Sequence, residues 1–519
     1  MNLISNRDLY DLVKSLTKSE KRFLKLNASA INFPSNLIQL FDNIEDAEDF
    51  TEDLFTKKTK SKLDSLQTGS LQSETLYNFI LQCLRAFSAE SNASFIIKDE
   101  ITNILNLFDK AQYKQCRKIL NKQKQEAYRY ERFHSILELI SLEKLLITIE
   151  TQFNIKNNSI ENLVKEEKDV IEKARNLGEY SLLFSKINLM TRESVKAKSK
   201  HDLKTVDSYL NSPLLKKDNL LKSKKALVIY HHCRLILFSR KQNNNDREKE
   251  CKALMEVMDK QPELIEEMPK RYLTALNNLI SNAYESQKFR TCHLYIKQLK
   301  SKAGLKAFNT TDLQLKIFTS TYNAELITYT DSGRFNEARE IVTEIEKGLK
   351  AFKGKINKEE VLIFYYNIAI MHTYGGNYKL AYEYVSKILS EGDKLLRQDL
   401  QSFARIINVG LLYELNNFKV LGYTISSLKD YYKTQTSIFK TEKLILSYFE
   451  KLSELKISAK ENEKSIFMSF KKDLEETMKD PHEQHVNYYF DIETYVDAKI
   501  KGVSMDELMQ KKYAKAWLN

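Results

Sequence analysis

Glycine occurs only 12 times and proline 5 times in a chain of 519 residues. Ordinary usage is about 7% and 5%. A sheet must turn at the end of every strand, and tight turns lean on these two residues. Their scarcity predicts long helices joined by short polar loops, with more than about 70% helix and no sheet, against a base rate near one third helix. Leu, Ile, Lys and Glu dominate the composition, which fits helix. An apolar content of 42% is too high for a disordered chain.

Local signals agree. Thr17 with Glu20 has the spacing of a capping box, which predicts a helix from Lys18 to Asn27. Residues 46–70 break the pattern: an acidic run (Glu45, Asp46, Glu48, Asp49, Glu52, Asp53) gives way to Lys57, Lys58, Lys60 and Lys62, then to Thr68, Gly69 and Ser70. They read as a linker or a poorly packed hairpin, or as two short exposed helices, so 1–70 is expected to form a small helical N-terminal module. Beyond it Leu76, Phe79, Ile80, Cys83, Leu84 and Phe87 mark one buried helix face. Loop signals recur at 154–159, 211–213, 243–246, 304–312 and 354–357, leaving helices of roughly 14–22 residues between most of them.

One short pattern recurs at the expected turns. It reads G-R-F-N-E-A at Gly333–Ala338, G-N-Y-K-L-A at Gly376–Ala381, Q-K-F-R-T-C at Gln287–Cys292 and N-N-F-K-V-L at Asn416–Leu421. Weaker copies are A-Q-Y-K-Q-C at Ala111–Cys116 and G-E-Y-S-L-L at Gly178–Leu183. A polar residue or glycine ends the first helix and frees the chain to turn. The aromatic (Phe289, Phe335, Tyr378, Phe418) opens the second helix and plugs the bend. Three residues on, Cys292, Ala338, Ala381 or Leu421 lies on the same face, where a small side chain brings two helices close. Each such pair keeps an uncovered apolar stripe and must stack on a neighbour.

This pattern resembles the tetratricopeptide repeat, whose first helix carries a small residue and whose second begins Y-x-x-A. Residues 362–389 match best, with Ala369 in the first helix and Tyr378, Ala381 and Leu389 in the second. The Gly333 copy has Leu326 at the small position, so its helices should splay. The 46, 43 and 40 residues from Cys292 to Ala338, Ala381 and Leu421 in turn exceed the standard 34. The resemblance implies a right-handed α-solenoid of antiparallel helical hairpins: degenerate basic repeats over 71–270, tetratricopeptide-like repeats over 271–435, and capping helices over 436–519. The opening S-L-T-K-S-E-K-R-F-L-K-L (Ser15–Leu26), with L-Y-N-F-I-L-Q-C-L-R (Leu76–Arg85), is also similar to helical-repeat proteins of Bacteroidota bacteria that carry no known activity.

The residues offer little chemistry. There is no G-x-x-x-x-G-K-[ST], no H-E-x-x-H and no paired C-x-x-C. His482 and His485, three apart with Glu483 between them, are the best metal candidate, but Pro481 and polar neighbours suggest an exposed turn. His231 and His232 point about 100° apart on a helix and cannot chelate together. One should face the core, hydrogen-bonded, and the other the surface. No activated nucleophile or acid–base pair stands out, so no enzyme activity, cofactor or metal is expected. Cys83, Cys116, Cys233, Cys251 and Cys292, odd in number and set in apolar helical patterns, read as reduced core thiols. The opening residues show no signal peptide and no stretch of 18 apolar residues exists, which makes the expected location cytoplasmic.

The net charge of +12 is concentrated: residues 101–250 hold 30 Lys and Arg against 19 Asp and Glu. One basic stretch includes Lys114, Arg117, Lys118, Lys122 and Lys124, interleaved with tyrosines. The other includes Lys216, Lys217, Lys224 and Lys225. The first expectation is a protein-interaction scaffold or regulatory adaptor that holds another protein or a peptide on the concave face of the solenoid. The alternative is nucleic-acid binding through 110–225, since positive charge with exposed aromatics tracks a phosphate backbone. Neither involves a membrane.

Overall fold

The computed structural model describes residues 4–55, 62–89, 93–150, 158–193, 200–216, 220–393, 396–434, 438–455, 460–480 and 483–514. Helix takes up 84% of the described residues, which form 25 α-helices and no strand. Residues 1–186 with 217–229 form one compact unit, and 187–216 with 230–519 a second.

The first unit opens with α1 (Asn6–Ser15), α2 (Lys18–Ala30), α3 (Ser35–Asp46) and α4 (Lys62–Ala89). The capping box expected at Thr17 is present, and Ser5 with Asp8 forms a second one. Leu9, Val13, Leu24, Phe41 and Ile44 share a core with Leu76, Phe79, Ile80 and Cys83 of α4. The N-terminal module therefore does not end at 70. Three short helices cannot enclose their apolar faces alone, and α4 closes them. Phe55, in the segment read as a linker, is buried in this core, while Lys57, Lys58 and Lys60 lie outside the described residues.

Next come α5 (Ala93–Asp109), α6 (Tyr113–Arg129), α7 (Phe133–Glu150) and α8 (Asn158–Glu193), with a core of their own around Ile101, Cys116, Leu120, Ile136 and Val170. The G-E-Y-S-L-L copy at Gly178 was expected to be a turn, but it lies inside the 36 residues of α8. A lone glycine costs a helix only about 1 kcal/mol, too little to end one that buries Tyr180, Leu183 and Ile187.

The chain continues with α9 (Lys200–Leu210), α10 (Pro213–Lys216), α11 (Lys224–Arg240), α12 (Asn244–Asp259) and α13 (Pro262–Glu267). Then come α14 (Pro269–Glu285), α15 (Phe289–Lys302), α16 (Thr311–Asp331), α17 (Phe335–Ala351), α18 (Lys358–Tyr374), α19 (Tyr378–Leu389), α20 (Gln398–Glu414), α21 (Phe418–Lys433), α22 (Lys440–Glu454) and α23 (Lys460–Thr477), followed by α24 (Ile492–Lys501) and α25 (Met505–Tyr513). Each even-numbered helix from α14 to α20 packs on its successor across a turn and on the next even-numbered helix.

The turns share one geometry. The residue two before the second helix has positive φ: Ala111, Glu131, Gln242, Gln287, Gly333, Gly376 and Asn416. The next N–H donates to the carbonyl five residues back, as in Lys288 to Ala283, Arg334 to Tyr329 and Asn377 to His372, each at 2.8 Å. This is the Schellman arrangement, which satisfies the last carbonyls of the first helix. Four of the seven residues are neither glycine nor asparagine and carry the steric cost of a left-handed conformation, about 1–2 kcal/mol. Ala111 is exposed. Ala111→Gly should therefore stabilise the protein by about 0.5–1 kcal/mol, read as a higher urea midpoint. A lower midpoint would show that the turn is not held in this conformation.

The small positions lie in the core. The Cys116 and Cys292 thiols reach the Ile104 and Ile280 carbonyls of the preceding helix at 3.5 and 3.6 Å. Cys292, Ala338, Ala369, Ala381 and Leu421 are fully buried. Phe289 and Phe335 are buried, and Tyr378 and Phe418 are half-buried. The α18–α19 pair makes a more extensive contact than α16–α17. In α17, Gly348 admits the ring of Phe318 so closely that a Cβ there would lie 2.0 Å from it.

Candidate functional site

The C-terminal helices do more than cap the end. Residues 483–514 return over the even-numbered helices. Glu483 accepts hydrogen bonds from the Thr441 N–H (2.9 Å) and hydroxyl (3.0 Å) at the start of α22. Val486, Ile492, Tyr495 and Val496 are buried. The Tyr489 ring stacks on Phe403 of α20, with centroids 4.0 Å apart. From α18 the Tyr366 hydroxyl donates to the Tyr489 carbonyl (3.1 Å), and the Tyr374 hydroxyl accepts the Asp491 N–H (2.7 Å). Further on, Gln510 packs against Gly333, and Tyr513 lies edge-on to Phe289.

Acids recur at one register of these helices, two residues before the positive-φ position: Glu285 of α14, Asp331 of α16 and Glu414 of α20, with Tyr374 in their place in α18. Glu285 takes Arg247 at 2.9 Å. Glu414 takes Lys499 of α24 at 2.6 Å and the Tyr495 hydroxyl. The Lys499 ammonium also lies over the Tyr413 and Tyr495 rings, at 5.9 and 5.6 Å. Asp331 instead accepts from the Tyr284 hydroxyl. Burial pushes its carboxyl up to about 6, although Lys512 and Tyr284 favour its charged form. Another carboxyl, the buried Glu442 of α22, faces Glu483 and is pushed up to about 7, again chiefly by burial.

The returning segment leaves a cavity of about 590 Å³ over the ends of α14, α16 and α18, with Tyr284, Asp331, Tyr366, Tyr374, Tyr489 and Tyr513 among its walls. This is the size of a small-ligand site. Burial raises the phenols of Tyr284, Tyr366 and Tyr374 well above their usual range, so they remain neutral hydrogen-bonding groups.

The basic residues stand in different settings. On α6, Lys114, Lys118 and Lys122 are exposed at four-residue spacing. Lys124 is held between Glu143 (2.7 Å) and Glu166 (2.8 Å), and Arg117 lies 3.8 Å from Glu143. Lys225 is buried, with its ammonium on the Glu131 carbonyl at 3.2 Å. The Glu131 carboxylate meanwhile accepts the Lys224 and Lys225 N–H groups at the start of α11. The Lys224 side chain is exposed. Lys216 is exposed but belongs to the other compact unit, and Lys217 lies outside the described residues.

The histidines follow a similar logic. His232 is buried beside Arg271 (3.2 Å), and burial pushes its imidazole down to about 3. One of the pair was expected at the surface; His231, the less buried of the two, is half-buried against Glu250 at 2.7 Å, because Glu250 and Arg234 bring a charged cluster to that helix face. His482 and the His485 side chain lie outside the described residues. Among the described residues no three His, Cys, Asp or Glu side chains are grouped to hold a metal. No helix among them is long and apolar enough to cross a membrane. The five cysteines are buried and unbridged.

No family model, curated protein or solved structure matches this chain.

Proposed function

We propose that this chain is a non-enzymatic interaction protein, a right-handed α-solenoid of antiparallel, tetratricopeptide-like helical hairpins. It binds an extended peptide of a partner protein on the face made by α14, α16, α18 and α20. The observation that carries this reading is the way α18 holds the chain's own residues 489–491. Two tyrosine hydroxyls hydrogen-bond to main-chain groups, at the Tyr489 carbonyl and the Asp491 N–H. Main-chain recognition does not depend on the sequence held, and alternate side chains then select it. Residues 483–514 act as an internal occupant that a partner peptide displaces or extends. The exposed Lys114, Lys118 and Lys122 make too short a stripe to favour nucleic acid over this reading.

The test uses the full chain. Tyr489→Ala with Phe490→Ala removes the two rings that anchor the segment on Phe403 and Tyr374. A labelled synthetic peptide of residues 483–501 should then bind in trans with a dissociation constant in the range of about 1–100 µM, and the unaltered chain should bind it far more weakly. If proteolysis shows the segment released and the peptide still does not bind, the face is not a peptide groove.

A further inference from the structure

The three acids at the shared register differ in one respect. Glu285 has the guanidinium of Arg247 and Glu414 has the ammonium of Lys499, each within hydrogen-bond distance. Asp331 has the neutral phenol of Tyr284, and Lys512, whose charge it feels, is bound to Asp491 at 2.9 Å. Glu285 and Asp331 both line the cavity between tyrosines, and of the two Asp331 is the one with no guanidinium or ammonium at hydrogen-bond distance among the described residues. No Lys, Arg or His stands among the described residues lining that cavity, in a chain of net charge +12. The neighbouring Thr330, 2% exposed, also lines it, and its buried hydroxyl has no hydrogen-bond partner among the described residues. A carboxylate drawn partly out of water gains from a partner charge, and tyrosine faces attract cations. Glu414 shows the arrangement completed: one carboxylate, two tyrosine rings and an ammonium supplied from elsewhere in the chain.

We propose that the Asp331 cavity is a binding site for an organic cation, an ammonium or guanidinium group that takes the place at Asp331 that Lys499 takes at Glu414. The group reaches it either as a free amine or at the tip of a basic side chain on a peptide. Its carrier sits among the Tyr284, Tyr374 and Tyr513 rings, and its charge is neutralised by Asp331. The proposal concerns the cavity alone and does not depend on peptide binding along the rest of the face.

Calorimetric titration of the full chain with three probes tests it. Choline represents a free cation, a capped glycine-rich hexapeptide with a central arginine represents a side-chain cation, and 3,3-dimethylbutan-1-ol is the neutral match of choline. At least one cationic probe should bind saturably, and choline, if it binds, should do so at least about tenfold more tightly than its neutral match. Choline alone binding identifies a free amine, and the peptide alone a basic side chain. Asp331→Asn, which can still accept from Tyr284, should weaken cation binding at least about tenfold. Binding should also fade as pH drops below about 6, where Asp331 takes up a proton. The groups that face Asp331 are Tyr284, Tyr374, Tyr513, Asp491 and Lys512. The phenols and Lys512 keep their protons through that range. Equal binding of choline and the alcohol, or no saturable binding of either cationic probe up to about 10 mM, overturns the proposal, and neither result requires a variant to fold.

Discussion

Gly348→Ala is expected to destabilise the protein by about 3 kcal/mol, although the same change in most helices is favourable. Gly348 lies inside α17, where alanine is preferred by about 1 kcal/mol. Its added Cβ, however, would stand 2.0 Å from Cε2 and 2.3 Å from Cζ of Phe318. That ring is buried and cannot move aside, because Tyr322, Phe352 and Phe364 surround it at centroid distances of 5.2–5.3 Å. Overpacking a fixed core costs about 1–3 kcal/mol, occasionally more, and here it must also cancel the helix preference. Gly422→Ala in α21 provides the control, since nothing lies within 4 Å of its Cβ position. That variant should gain about 0.5–1 kcal/mol. Urea midpoints of the two variants should move in opposite directions. A shared upward shift would mean that α16 and α17 do not approach as described.

Replacing Asp331 by Asn together with Glu442 by Gln should stabilise the protein much more at pH 8 than at pH 5. The two carboxyls ordinarily titrate near 3.8 and 4.5 and are pushed up to about 6 and about 7 in the folded chain. For an acid whose folded value is raised, the native state prefers the proton. Its contribution to stability is complete below the unfolded value and is lost as pH rises through the folded one. Between pH 5 and pH 8 the remaining loss covers about one unit for Asp331 and two for Glu442, or about 4 kcal/mol in all at 1.36 kcal/mol per unit. The amides do not titrate and escape this loss. The gain from the double substitution, read from urea unfolding, should therefore be larger at pH 8 by about that amount. An equal gain at both values would show that the two carboxyls are solvated and ordinary.

The turns were the most readable part of the sequence. Gly333, Gly376 and Asn416 announce a left-handed residue, and an aromatic two positions later announces the next helix. Glu131 and Gln242 adopt the same conformation without glycine or asparagine, and only Glu131 is followed by an aromatic, Phe133. At Glu131 the cost is offset by a carboxylate that caps the distant start of α11, a long-range contact that no local pattern encodes. The error at Gly178 has the opposite cause, because burial along α8 outweighs one poor helix former. Tyr284 and Tyr374 were recognisable as repeat aromatics, but not as walls of a cavity. The acids beside them at Glu285, Asp331 and Glu414 form a register that could have been noticed: E-x-Q, D-x-G and E-x-N precede three of the turns. Residues 483–514 stayed opaque because their apolar positions show only that they are covered, not that α18 and α20 cover them.

The hydrogen bonds that hold the returning segment on α18 and α20 join residues 81 to 123 positions apart. A stack whose helices touch only their sequence neighbours can open and close piecemeal from either end. Here every helix from α16 to α22 is made before the segment that covers it. A growing chain therefore passes through a stage in which these helices are formed while Tyr366, Tyr374 and Phe403 still face water. Closure of a loop of this length is the slow kind of contact, so refolding should proceed in two stages, with helix signal appearing before the protection of those rings. Once closed, the same contacts tie distant turns together, and this half of the molecule melts in a single step.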